Sequence, residues 1–376
     1  MPLPPLVAPV AALSPPEQER TARHTALGGF GDLAQRRLAA AHIAVVGAGG
    51  LGSPVILALA AAGVGTLTVI DDDVVDAGNL QRQVLHRQRD IGADKIDSAV
   101  RAAADLSPET RVIARRERLT ADNADDLLAG ADLVVDSSDT FATRADVAAA
   151  CERAGVPLVW GVVQEFHAQV TVFWSDPPAG ATATRLSDLH PPETVGEPPT
   201  CAAVGVLGAL CLQTGSLMAV EAIKLVTGVG ETLLGRVLLI DALKATTREV
   251  ALHPVTAPAT AAPAAPAPAA PASAPAPAPA ATGPRELSAP EMLEAQAGGA
   301  VLLDVREPWE TERGVVAGSV VIPLGTFLAD PAQLGEDRVV VICAHGVRAR
   351  QAAMALRGHG VDADILAGGL AAWTQG

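Results

Sequence analysis

The chain has 376 residues, enough for two or three domains each with its own core. Its 42 acidic side chains against 27 basic ones leave a formal charge of −15, which excludes nucleic acid as a main partner. Four cysteines (Cys151, Cys201, Cys211 and Cys343) stand far apart with no C-x-x-C pair; this excludes a disulfide scaffold and a cysteine zinc cluster, and indicates a reducing compartment.

The opening stretch MPLPPLVAPVAALSPPEQER has no basic start, and prolines break up its apolar residues. It reads as a disordered tail over residues 1–20 rather than a signal peptide. A basic helix is predicted over Asp32–Ala41. The stretch from Ile43 to Asp73 is the organising element of the chain. Ile43–Val46 is an apolar run of the kind a buried parallel strand shows. Glycines come next at Gly47, Gly49, Gly50 and Gly52, then an Ala/Leu-rich helical segment, then a second apolar run, Leu67–Ile70, ending at Asp71. Strand, glycine turn, helix and strand with a terminal carboxylate describe a nucleotide site. Glycines let backbone N–H groups approach phosphate, the helix N-terminus favours its charge, and Asp71 accepts from ribose hydroxyls. Alone, the pattern would equally suit a dinucleotide dehydrogenase.

Beyond Asp73 the chain predicts a loop, VVDAGNLQRQVLHRQRDIG, a helix Ala93–Asp105, and strands Val112–Arg115 and Leu133–Asp136, the latter running into DSSDT. A helix Ala142–Arg153 and a strand Leu158–Val162 continue the alternation. Such repetition implies a Rossmann-like α/β fold, an open and mostly parallel sheet with helices on both faces. Ala168–Trp174 alternates like an antiparallel strand, and Asp176–Thr200 reads as a long mobile loop. The apolar segment Val204–Val226 carries Gln213, Glu221 and Lys224, so it reads as a core helix rather than a membrane span. Gly235–Leu252 reads as a hairpin closing a domain of residues 21–252. Residues 253–284 are almost wholly Ala and Pro, a stiff linker able to span on the order of 90 Å at ~3.1 Å per residue. Residues 285–376 form a small α/β domain in which Leu302–Val305 and Val339–Cys343 are parallel strands.

Several residues carry chemistry. Asn79, Arg82 and Gln83 stand in NLQRQ, and Lys95 in GADKIDSA. Two cations beside a diphosphate suit reaction at a nucleoside triphosphate, where they stabilise charge moving onto departing pyrophosphate. Asp139, after a strand's carboxyl end, sits where sheet crevices collect ligands and is placed to hold Mg²⁺. The plainer alternative makes Arg82 and Lys95 surface ion pairs and Asp139 a helix cap. Cys201 lies between the predicted loop and a helix N-terminus, which favours a reactive thiolate, although a lone cysteine before an apolar helix also suits burial. Cys151 and Cys211 read as core. Cys343 opens CAHGVRA, a strand-to-helix loop whose N–H groups point at the sulfur, with Arg348 adding positive charge.

On the pieces TARH, GAGGLG, VIDDD, NLQRQ, GADKIDSA, DSSDT and CAAVGVLGALCLQTGSLMAVEAIK, residues 21–252 resemble the MoeB/ThiF family of ubiquitin-activating-type adenylyltransferases. The resemblance implies a homodimer that binds ATP–Mg²⁺ and adenylates the C-terminal Gly-Gly of a ubiquitin-like sulfur-carrier protein. By the same resemblance, Gly47, Gly49, Gly50 and Gly52 line the nucleotide and Asp71 takes the ribose. Asn79, Arg82 and Lys95 take phosphates, Asp139 takes the metal, and Arg23 reaches into the partner's site. Cys201 matches a cysteine that members with a sulfurtransferase tail place opposite the acyl-adenylate. Two departures stand out. The family's zinc-binding C-x-x-C pairs are replaced by WSDPPAGATATRLSDLHPP and HPVTAP, so structural zinc is expected to be absent, and the usual Asn after the metal aspartate is Thr140.

Residues 285–376 resemble the rhodanese domain through LLDVREPWE (Asp304, Arg306), GSVVIPL, the cysteine loop and LAGGLAAW. Four residues separate Cys343 from Arg348, one fewer than in the related phosphatases, which favours a sulfur substrate. Val315 replaces a common His outside the loop. An inactive rhodanese-like binding module is the alternative. The combined expectation is a cytoplasmic fusion in which Cys343, loaded as a persulfide by a cysteine desulfurase or thiosulfate, attacks the acyl-adenylate, with Cys201 resolving the product to a thiocarboxylate for molybdopterin, thiazole or related sulfur chemistry. Two other classes stay open: a NAD-dependent oxidoreductase fused to a rhodanese, and a non-catalytic scaffold for a ubiquitin-like partner.

Overall fold

The computed structural model describes residues 3–190, 205–253, 283–306, 308–311, 314–334, 338–344 and 346–373. The chain divides into two compact units, one on each side of the Ala/Pro-rich segment.

The first unit is built on an eight-stranded sheet in the order β3-β2-β1-β4-β5-β6-β7-β8. Its strands are β1 His42–Val46, β2 Thr66–Ile70, β3 Arg111–Arg115, β4 Leu133–Asp136, β5 Leu158–Gln164, β6 His167–Phe173, β7 Arg236–Asp241 and β8 Thr246–Ala251. The first five strands pair in parallel and the last three return antiparallel. β1 is apolar on both faces because both are covered. Ile43 and Val45 join one layer with the helices Gly52–Ala62, Lys95–Leu106 and Gly208–Thr227, while Ala44 and Val46 join the other with the helix Phe141–Ala154. The neighbours β2 and β4 leave β1 in opposite directions across the sheet, and the crevice at this switch point opens at the carboxyl ends of all three strands.

The helix Gly52–Ala62 is nearly all buried and ends on Gly63 in the left-handed conformation. The helix Gly208–Thr227 lies against it and is a core helix: Met218, Ala222 and Val226 are fully buried. Its buried Glu221 is matched by Lys224 and by the Leu233 N–H, 2.8 Å from Oε2.

Two expectations are corrected. Residues 3–20 are packed and are not a tail. Leu3, Leu6 and Val7 lie on the core, the Leu6 N–H donates to Leu225 O at 3.3 Å, and a helix Pro15–Arg20 starts from a Ser14 cap. Prolines forbid a helix through residues 3–13 but not an extended strap, which needs no ladder of its own. Residues 176–190 are likewise tied down. Trp174 and Thr184 exchange backbone hydrogen bonds at 2.9 and 3.0 Å, Thr184 is fully buried, and a short helix spans Leu186–Leu189. Cys201 and the remainder of the expected loop lie outside the described residues, as do residues 254–282 of the linker.

The second unit has a five-stranded, all-parallel sheet in the order β11-β10-β12-β13-β9. Its strands are β9 Glu286–Leu287, β10 Val301–Asp304, β11 Val320–Val321, β12 Arg338–Ile342 and β13 Asp362–Leu366. β12 sits at the centre, buried from Val339 to Ile342, and leads directly into Cys343.

Candidate nucleotide cleft and cysteine loop

The cleft at the carboxyl ends of β1, β2 and β4 spans about 630 Å³, part of it open to solvent. It brings together Gly47, Gly49, Gly50, Asp71, Arg82, Lys95 and Asp139, residues up to 92 positions apart in sequence. Gly47 turns the chain out of β1 at φ +92°, a conformation that favours glycine, while its N–H still donates to Ile70 O at 2.8 Å. The Asp71 carboxylate caps this turn from β2: Oδ2 accepts from the Ala48 N–H at 2.7 Å and Oδ1 from the Asp73 N–H at 2.9 Å. Burial pushes the Asp71 pKa up, and the nearby Lys95 ammonium opposes the rise. Lys95 is itself buried and reaches Asp73 Oδ2 at 2.7 Å, so the plainer reading of it as a surface ion pair does not hold. Arg82 lines the cleft with its Nη1 on Gly78 O at 3.2 Å.

Two of the expected nucleotide residues are not among those that line the cleft. Gly52 does not line the cleft. It is buried at the start of its helix, where a Cβ would fall 1.9 Å from Gly47 O, so it lets the helix pack closely on the turn. Asn79 Oδ1 accepts from the Asp76 N–H at 3.1 Å and closes a capping box on a 3₁₀ turn, which orders the loop carrying Arg82. Arg23 is exposed on the short helix Ala22–Thr25, outside the cleft of its own chain.

Asp139 projects from the β4 loop, exposed at the cleft edge. Among the described residues no three His, Cys, Asp or Glu side chains converge as a metal centre. A cation beside Asp139 would therefore take phosphate oxygens and water as most of its ligands. Mg²⁺ accepts that arrangement readily, so the donor set fits it. The loop beneath is braced by residues that the motifs did not single out. Ser137 Oγ donates to Val46 O at 2.7 Å, and the fully buried Asp136 accepts from the Ser138 N–H at 2.9 Å. Arg144, one turn into the next helix, donates through Nη2 and Nε to Ser138 O at 2.9 and 3.3 Å and lies over Trp160. Burial raises the Asp136 pKa and the Arg144 charge counters it. His86 sits below the glycine turn with Nε2 3.1 Å from Ala48 O, and burial pulls its pKa down to about 4. Gln83 and Cys211 also line the cleft while buried. Cys151 is core, and burial pushes its thiol well up.

In the second unit Cys343 Sγ is buried at the floor of its loop and accepts from the Gly346 N–H at 3.1 Å and the Ala349 N–H at 3.4 Å. Gly346, at φ +87°, caps the helix Val347–Gly358, so the helix N-terminus faces the sulfur. The closing GGL packs under the loop: the Leu370 N–H donates to Cys343 O at 2.9 Å, and a Cβ on Gly369 would fall 2.6 Å from the same oxygen. Asp304 and Arg306 form a buried ion pair at 2.7 Å at the end of β10, where Asp304 lies beside Ile342, the residue before Cys343. Arg348 is not a bare positive charge, because Glu310 of the PWE segment pairs with it through two bonds of 2.6 Å.

Similarity to known proteins gives the family. The ThiF family profile matches residues 21–259 and the Rhodanese-like domain profile matches residues 288–376. The chain belongs to the ThiF family. It is 42% identical over 99% of its length to the "Probable adenylyltransferase/sulfurtransferase MoeZ" of Mycobacterium tuberculosis (strain ATCC 25618 / H37Rv), covering 97% of that protein. It is 43% identical to the "Sulfur carrier protein adenylyltransferase" of Thermus thermophilus over 63% of this chain and 88% of the relative. Among solved structures, PaaA superposes with a TM-score of 0.52 at 20% identity, covering 64% of this chain and 75% of that one, a likeness of fold. The ThiF-family domain thus carries the Rossmann-like sheet and the rhodanese-like domain carries the cysteine loop.

Proposed function

We propose that this chain, an adenylyltransferase/sulfurtransferase, uses ATP to activate the C-terminal Gly-Gly carboxylate of a ubiquitin-like sulfur-carrier protein and then converts it to a thiocarboxylate. The observation that carries the reading is the convergence of Asp71, Arg82, Lys95 and Asp139 on one glycine-lined cleft, in a chain that also holds a cysteine loop. The carrier carboxylate attacks the α-phosphate, and the bond to pyrophosphate breaks. Arg82 and Lys95 lie where they stabilise the charge of the leaving group. Asp71 orients the ribose, and the N–H groups of the glycine turn face the phosphates. Mg²⁺, when bound with the nucleotide at Asp139, would supply further neutralisation of phosphate charge. A Cys343 persulfide then attacks the activated carbonyl and expels AMP, leaving an acyl disulfide that Cys201 opens by thiol exchange. In this scheme the protein is a cytoplasmic homodimer, Arg23 completes the partner's site, and Cys343 receives its sulfur from a persulfide donor or thiosulfate. The likeness to the mycobacterial and Thermus proteins speaks for this reading and not for a NAD-linked oxidoreductase or a scaffold.

The test is carrier-dependent exchange of radiolabelled pyrophosphate into ATP. Asp139→Ala is expected to lower exchange by a hundredfold or so, about the size of one lost electrostatic contact to a transferring phosphoryl group; normal exchange in this variant would place the metal elsewhere. Cys343→Ala is expected to leave exchange intact and abolish thiocarboxylate, read as the carrier's mass. Thiocarboxylate formed at the native rate by that variant would end the persulfide role.

A further inference from the structure

The cation of the cysteine loop is already matched. Arg348 Nη1 and Nη2 each lie 2.6 Å from a Glu310 oxygen, a fork-to-fork pair that occupies both terminal nitrogens. Both side chains are largely buried, with 15% and 11% of their surface exposed, so solvent screens the pair little. The loop N–H groups of Gly346 and Ala349 are directed at Cys343 Sγ. We propose that Glu310 selects the sulfur donor, favouring a persulfide carried on a thiol over thiosulfate. The proposal rests on the reading of Cys343 as the sulfur-carrying nucleophile.

Charge is what separates the two donors. With either one the Cys343 thiolate attacks the outer, sulfane sulfur and forms a new S–S bond. The donor's own S–S bond breaks, and its electron pair leaves on a thiolate in one case and on sulfite in the other. Electrons and charge balance in both reactions without another reactant. Thiosulfate, however, brings two negative charges into the loop and leaves as a dianion. A cation held by a carboxylate offers such an ion little compensation for lost hydration, and the Glu310 charge repels it. A thiol-borne persulfide carries a single charge on its terminal sulfur, which the N–H groups and the helix N-terminus are placed to receive.

The experiment uses the full chain with thiosulfate and cysteine persulfide as donors. Sulfite release reports the first, and the gain of one sulfur atom on Cys343 by intact-protein mass reports both. The native chain is expected to prefer cysteine persulfide. Glu310→Gln keeps the shape and removes the charge, and is expected to raise the kcat/KM ratio of thiosulfate to cysteine persulfide about tenfold, mainly through KM for thiosulfate, as one weakly screened charge would. Glu310→Asp is expected to return the ratio toward native. An unchanged or lower ratio in Glu310→Gln overturns the proposal, and so does loss of loading by both donors, which would make the pair a contact that only holds the fold. If the native chain is loaded by neither donor, the sulfurtransferase reading itself falls. If it is loaded normally and the ratio stays put, only the role of Glu310 does.

Discussion

His86 is buried beneath the glycine turn, with Nδ1 lacking a hydrogen-bond partner among the described residues and Nε2 placed to donate to Ala48 O. Its neutral form is the one the fold accepts, because burial and the charge of Lys95 both oppose protonation. The folded pKa of about 4 lies below the ordinary histidine value of 6.5, so the unfolded chain binds more protons between those values. Stability contributed by this group is therefore present above pH 6.5 and lost as pH falls toward 4. His86→Gln, which keeps a donor for Ala48 O, is expected to flatten the fall in melting temperature across that window; an identical acid profile would mean that His86 is solvated. Residues of this kind are poorly legible in the sequence. NLQRQ, GADKIDSA and DSSD point to Arg82, Lys95 and Asp139 because their charges suggest phosphate chemistry. Nothing in VLHRQ or FATRADV marks His86 or Arg144 as braces, since their importance comes from burial under a turn distant in sequence. Glu310 is hidden for the same reason, 38 residues from the arginine it pairs with.

At the scale of elements, the glycine turn and its helix behave as one packed unit. Gly47 supplies the left-handed turn and Gly52 the close contact, so the GxGxxG spacing serves backbone geometry as much as nucleotide contact. Gly52→Ala is expected to cost about 2 kcal/mol or more, since the Cβ meets a backbone oxygen that cannot swing away. In a domain of this size that lowers the melting temperature by several degrees. The same variant should weaken ATP binding as the turn shifts; a melting curve and nucleotide affinity both unchanged would show that the helix start yields at no cost. The strands of the eight-stranded sheet are readable to within a residue or two: Leu133–Asp136 matches β4, and Ala168–Trp174 nearly matches β6. Strands buried on both faces are continuous apolar runs, and that signal is local. The packed N-terminal strap escapes such a reading because its few leucines show no periodicity, and only the surface of the helix Gly208–Thr227 gives them somewhere to lie.

Across the whole molecule, two chemistries share one chain of 376 residues, joined by a segment of Ala and Pro. In the proposed scheme Cys343 must be loaded by a donor and then delivered to an acyl-adenylate, and a tether raises its concentration there to roughly the millimolar range. Residues 1–252 and 285–376 supplied as separate chains at micromolar concentration should keep pyrophosphate exchange at the native rate. Thiocarboxylate formation should slow by at least tenfold and recover as the second piece is added in excess. Equal rates with and without the connection would show that docking between the pieces, not the linker, brings the sulfur to the carbonyl.

The sequence by itself determined the fold class, the order of the two domains, the glycine turn, the strand-end carboxylate Asp71 and the cysteine loop. Each of these is written in local patterns: apolar runs, glycine spacing, and a polar residue at a strand's end. Tertiary structure alone decided that Lys95 is buried in the cleft, that Gly52 packs its helix on the glycine turn and Asn79 orders the loop of Arg82, that Arg144 braces the loop of Asp139, and that Glu310 pairs with Arg348. Those facts depend on which side chains the sheet order brings face to face across tens of residues. Burial and charge pairing exist only once that order is set.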